Sequence, residues 1–253
     1  MSARSQHLAF PGALGDLLSA RLELPDREPR AFALFAHCFT CGKDIRAAAT
    51  ISRALAKQGI AVLRFDFTGL GSSQGDFANT TFSSNVADLL AAARHLEAEH
   101  APPRLLVGHS LGGAAVLAAA AHLPAVRAVA TIGAPFEASD VRRFLASDLD
   151  TIEREGEAVV AIAGRPFRIK REFLDDLRQP SSRDAIANLG RPLMILHSPV
   201  DTVVPVDNAR RIFEAASHPK SFVSLDDADH LLSSAADADY VAQILSAWSS
   251  RYL

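Results

Sequence analysis

Short apolar and β-branched runs alternate with longer stretches of helical periodicity along most of the chain. This is the pattern of a mostly parallel sheet covered by helices on both faces. At the N-terminal end, apolar runs at 8–10 and 17–24 flank the turn-forming stretch PGALGD (11–16), which predicts an antiparallel hairpin. Strands are then expected at 31–36, 60–67, 105–108, 126–133, 192–197 and 221–225, eight in all with the hairpin pair. Helices are expected over 44–58, stopped by Gly59, and over 81–100, 208–217 and 239–251, with a small-residue helix opening near Ser110. Between 136 and 189 the rhythm breaks. About fifty residues stand where a crossover needs a dozen or more. An amphipathic stretch (139–149), two alternating runs (159–162 and 167–169) around the turn Gly164-Arg165-Pro166, and a helical stretch (172–179) fill it. These predict a helix-hairpin-helix cap at 137–189 inserted into a core of 1–136 and 190–253; a ragged helical crossover is the alternative.

Composition narrows the class. The chain has 253 residues, 49 % of them hydrophobic, enough for one large α/β domain with a full core. With 29 acidic against 26 basic residues and no basic cluster, it lacks the charge of a nucleic-acid binder. The longest apolar run, Ala114 to Ala121, falls far short of the roughly 20 residues that span a bilayer. The opening MSARSQHLAF has no secretory apolar segment, and two cysteines make no disulfide framework, so a reducing, cytoplasmic setting is expected.

The chemistry concentrates at Gly108-His109-Ser110-Leu111-Gly112-Gly113, between an apolar strand and an apolar helix. A G-x-S-x-G there is a nucleophile elbow, a strand-to-helix turn so sharp that only small neighbours fit around the serine. The amide of Leu111, at the helix N-terminus, is then aimed at any oxygen that Ser110 attacks. A serine hydroxyl needs a base, and the base an orienting carboxylate. In the chain order Ser–Asp–His, Asp201 lies just past a strand end, where ligand chemistry collects in open α/β sheets. His230 follows the last strand and is the last of nine histidines. Asp207, Asp226, Asp227 and Asp229 compete with Asp201 for the acid's role.

On these residues the chain resembles the α/β-hydrolase family over essentially its whole length. The matching pieces are His37-Cys38-Phe39, the segment Phe65-Asp66-Phe67-Thr68-Gly69-Leu70-Gly71-Ser72-Ser73, the elbow, Asp201 and His230. The resemblance is tighter still to hydrolase halves fused to OsmC-like domains in bacterial proteins, which tend to carry His-Cys-Phe-Thr-Cys in the same loop. It implies an eight-stranded, mostly parallel sheet with strand 2 antiparallel, and a Ser110–His230–Asp201 triad. By analogy, the second oxyanion donor is the N–H of Phe39 or of its neighbour Cys38; Cys38 replaces the family's usual glycine. His37 would tie that loop down.

Cys38 and Cys41 have C-x-x-C spacing between a strand and a helix, as in thiol-redox sites. They are expected as packing cysteines, with redox modulation of the oxyanion loop the alternative; two thiols are too few for a structural zinc. His109, Phe136, Phe167, Val203 and Leu231 are candidate substrate contacts. Phe136, Val160, Ile162, Phe167 and Ile169 would offer the acyl group apolar surface, and arginines 142, 143, 165, 168 and 171 a solvated cap face. The reading is a carboxylesterase acting on a small-molecule ester through an acyl-enzyme, with no metal, organic cofactor, nucleic acid or membrane required. Thioesterase, amidase or perhydrolase chemistry would use the same triad. A non-catalytic binding protein or a thiol-redox protein are readings of another class.

Overall fold

The computed structural model describes residues 3–162, 164–178 and 182–253. Eight strands form one sheet: β1 (Ala3–Pro11), β2 (Leu17–Pro25), β3 (Ala31–Ala36), β4 (Ile60–Phe65), β5 (Leu105–His109), β6 (Ala128–Ile132), β9 (Leu193–His197) and β10 (Lys220–Ser224). Their spatial order is β1-β2-β4-β3-β5-β6-β9-β10. β2 runs antiparallel to both its neighbours, and every later pair in the sheet is parallel. Because β3 to β6 are covered on both faces, they read as nearly unbroken apolar runs. Period-2 alternation splits β3 between two layers. Leu34 and Ala36 face the layer of α2 (Phe82–Glu99), α3 (Leu111–Ala119) and α7 (Asp207–Ala215), and Ala33 and Phe35 face α1 (Arg46–Lys57) and α8 (Ala235–Ser249).

Some boundaries differ from the sequence expectation. α8 starts at Ala235, where Ser234 supplies the extended entry residue, and not at 239. The amphipathic stretch after Phe136 forms 3-10 turns over Ala138–Leu145, and the α-helix comes later, as α4 (Leu149–Glu155). β7 (Glu157–Ile162) and β8 (Arg165–Lys170) pair as a separate antiparallel hairpin, followed by α5 (Arg171–Asp176) and α6 (Ser182–Ala187). The end of the helix expected over 172–179 lies outside the described residues. Val160, Ile162 and Ile169 do not offer a free apolar surface as expected: they are buried in the same core cluster as Phe136 and Phe173, while Val159 on the other hairpin face is exposed. The hairpin consumes its apolar face in attaching itself to the body.

Candidate active site

The sharp turn at the end of β5 comes first. Ser110 has φ 55° and ψ −127°, left-handed backbone that a non-glycine residue adopts only when its surroundings impose it. The neighbours must be small. A Cβ on Gly108 would meet the Gly112 carbonyl oxygen at 2.3 Å, and one on Gly112 would meet the Ala36 and His37 carbonyl oxygens at 2.4 and 2.5 Å. The serine is thereby lifted to the C-terminal edge of the sheet at the start of α3.

Two distant loops reach it there. His230 stands 3.0 Å from Ser110, where the hydroxyl donates to Nε2, and its Nδ1–H donates to Asp201 Oδ2 at 2.7 Å. The other Asp201 oxygen accepts the Val203 and Val204 amides, both at 2.8 Å. Burial alone would push the Asp201 carboxyl up. The His230 bond, the two amides and the charge of His230 outweigh it and hold the carboxyl below its usual range. Two of the competing carboxylates are engaged elsewhere: Asp207 pairs with Arg210 at 2.8 Å, and Asp229 accepts the Leu231 amide at 2.8 Å in the turn after His230.

The loop after β3 is a tight turn in which the Cys41 amide donates to the Cys38 carbonyl at 3.1 Å and Thr40 takes φ 61°. The expectation of two packing thiols is overturned here. Cys38 and Cys41 form a disulfide, because the turn brings their Cα atoms to 5.3 Å, inside the range a bridge needs. Phe39 sits between the two half-cystines, and neither its amide nor that of Leu111 donates to an acceptor among the described residues. The His37 ring donates through Nδ1–H to the Cys38 carbonyl at 2.8 Å. Beneath the loop, Asp66 accepts the Lys43 amide at 2.5 Å, the Lys43 ammonium at 2.7 Å and the Ser72 amide at 2.9 Å.

The hairpin grips the same loop. Arg165 donates to the Thr40 carbonyl, Phe173 stacks on Phe39 with ring centroids 5.5 Å apart, and Phe77 lies between Phe39 and Phe167 at 5.6 and 5.1 Å. Phe167 therefore belongs to an aromatic cluster beside the loop after β3. Val203 adjoins Asp201, and Leu231, 50 % exposed, follows His230. Phe136 and His109 are buried instead. Phe136 lies under the Arg211 guanidinium with its amide on Asn208, and His109 lies against His230. The arginines expected to face solvent do so at 143, 165, 168 and 171, with Arg142 half-buried; on that face Arg165 donates to the Thr40 carbonyl, Arg168 pairs with Glu157 and Arg171 donates to the Glu153 carbonyl. No motif in the sequence marks the Lys43–Asp66 pair or the contacts of His197. Among the described residues, no cluster of potential ligands could hold a metal ion and no helix is long and apolar enough to cross a membrane.

Comparison with known proteins bears on the fold and the family. The esterase domain of a Rhodothermus marinus protein is 54 % identical, with a TM-score of 0.82, covering 98 % of this chain and 99 % of that one. A monoacylglycerol lipase of Mycolicibacterium smegmatis is 26 % identical over 84 % of this chain and 85 % of its own length. The mouse mitochondrial palmitoyl-protein thioesterase ABHD10 is 29 % identical over 71 % of this chain and 62 % of its own. The match to the Salmonella typhi YfhR protein spans 57 % of that relative, so the chain covers about three fifths of the first curated relatives it matches. Residues 33–244 match the family described as alpha/beta hydrolases, and the chain belongs to that family.

Proposed function

We propose that the protein is a serine hydrolase that cleaves carboxylic esters of small molecules through an acyl-enzyme. The observation that carries the reading is the continuous hydrogen-bonded line from Asp201 through His230 to Ser110, on a strained elbow. In the proposed cycle His230 Nε2 takes the Ser110 proton as Oγ attacks the acyl carbon, and the carbonyl π bond opens to an oxyanion. The Phe39 and Leu111 amides, which donate to no acceptor among the described residues, receive that oxygen. Asp201 holds the imidazole's orientation and stabilises it when charged. The alcohol leaves with the proton from His230. Water, deprotonated by the same nitrogen, then releases the acid and restores Ser110. Every step uses groups of the chain and needs no cofactor. The hairpin segment 137–189 acts as a cap whose aromatic side borders the oxyanion loop.

A thioester reading has its own support in the thioesterase among the relatives, because the same line of groups serves either bond. A fluorophosphonate probe, with and without Ser110→Ala, tests the nucleophile. Labelling is expected in the wild type and absent in the variant, and labelling that survived would remove Ser110 from the reaction. The ratio of kcat/KM for matched oxygen esters and thioesters, graded by acyl length, separates the two substrate classes.

A further inference from the structure

Two buried histidines lie next to the triad without belonging to it. His109 closes β5 one residue before Ser110, is 1 % exposed, and its ring centroid is 5.1 Å from that of His230 at a 37° tilt. Its Nε2 is 2.7 Å from the main-chain oxygen of His230. His197 closes β9 four residues before Asp201, is fully buried, and its Nε2 is 2.8 Å from the Val204 carbonyl oxygen and 3.6 Å from Asp201 Oδ2. A carbonyl only accepts, so in each ring Nε2 carries the proton and donates it. In each, Nδ1 is shut away from solvent with no hydrogen-bond partner among the described residues.

That unpartnered nitrogen makes both histidines costly as packing. A buried polar atom left without a hydrogen bond keeps the cost of its lost hydration, so an apolar ring of similar volume would fill either site with less penalty. What the imidazole supplies and an apolar ring does not is one N–H, and in both places it goes to the backbone of a triad-bearing loop. We propose that His109 and His197 are positioning residues, each anchoring one moving part of the triad to the end of a rigid strand: His109 fixes the backbone of His230, and His197 fixes the loop that presents Asp201. The inference rests on the triad reading above. Its physical basis is that Ser110 and Asp201 are met by His230 at 3.0 and 2.7 Å, and a misplacement of 1 Å in a catalytic group can cost about 100-fold in rate. Both rings remain neutral near pH 7. Burial first, and the neighbouring His230 charge second, lower His109 to about 3, and burial lowers His197. They therefore anchor without placing a second cation beside the imidazolium formed during turnover.

The test uses His109→Phe, His109→Gln and the same pair at 197, with three measurements: kcat and KM on p-nitrophenyl acetate, the rate of fluorophosphonate labelling, and the proton NMR resonance of the Nδ1–H shared by His230 and Asp201. The phenylalanine variants are expected to lose about 10- to 100-fold in kcat and labelling rate with KM within about twofold, and to shift or broaden the low-field resonance. Glutamine, which can offer an N–H to the same carbonyl, recovers part of the loss. Where a phenylalanine variant does not fold, asparagine, polar but too short to reach, replaces it in the comparison with glutamine. Folded phenylalanine variants with wild-type kcat, labelling and resonance would overturn the proposal. The resonance keeps the two readings apart: if wild-type protein is not labelled yet the variants disturb the resonance, the nucleophile assignment falls and the anchoring stands.

Discussion

Gly112 has no room for a side chain, because the two oxygens that a Cβ would strike belong to Ala36 and His37, at the root of the loop that carries Phe39. Gly112→Ala is therefore expected to cost about 2–3 kcal/mol, as overpacking does, read as a lowered urea midpoint. Because the displaced backbone leads into the turn proposed to hold the oxyanion, the folded fraction should also lose kcat, which an activity assay corrected for folded protein will detect. Asp201→Asn addresses a different property. The amide can keep the packing but not the imidazole's tautomer, so kcat should fall by about 10⁴-fold with the fold intact. Purified variant with kcat within tenfold of wild type would assign the acid to another carboxylate. At this scale the elbow was legible from six consecutive residues, since steric need writes glycines into sequence. Chain order allows Asp201, Asp207, Asp226, Asp227 and Asp229 alike, the place of Asp201 just past a strand end favours it, and only the meeting of separate loops supplies distances. His109 and His197 stayed hidden for the same reason: a lone histidine at a strand end carries no pattern.

Among the elements, the turn between β3 and α1 joins three structural features. The disulfide closes it, Arg165 of the β7–β8 hairpin holds Thr40, and Phe173 and Phe77 flank Phe39. A donor amide is useful only if its direction is fixed before the charge develops. Cys38→Ser/Cys41→Ser should thus lower kcat while leaving KM within about twofold. The ceiling of that loss is the roughly 100- to 1,000-fold that removing an oxyanion donor costs, and about 10-fold is expected while Arg165 and the rings still hold the turn. Adding Arg165→Ala should deepen it more than additively, because both changes loosen one turn. Steady-state kinetics on the single, double and triple variants provide the check. The hairpin itself was readable from its period-2 runs around Gly164. Its apolar side packs into the core and is not substrate surface, because alternation tells that one face is buried and not what buries it. The bridge was missed for a related reason: C-x-x-C spacing does not say whether the intervening turn brings two Cα atoms within reach.

Across the whole molecule, buried imidazoles set the response to acid. His37, His109 and His197 are each held below their ordinary value of 6.5, burial being the largest cause in all three, and His109 lies at about 3. A base whose pKa is lower in the folded chain takes up its proton more readily when unfolded. Between the two values the unfolded state binds more protons, so stability falls as pH falls. The loss begins near pH 6.5, and for His109 runs at about 1 kcal/mol per pH unit until about pH 3. Asp201, with its carboxyl held below the usual value of 3.8, acts in the same direction at the lower end of that window, its stabilisation vanishing as it is protonated. Urea midpoints measured from pH 7.5 to pH 4 should therefore decline steadily, where a chain with only surface histidines would stay nearly flat above pH 5. His109→Gln removes one of the titrating rings but not the N–H, so its stability curve should be shallower than that of the wild type between pH 6 and pH 4. A variant curve parallel to the wild type over that interval would mean that His109 takes up no proton on unfolding, and that the imidazole beside His230 is already charged in the folded protein.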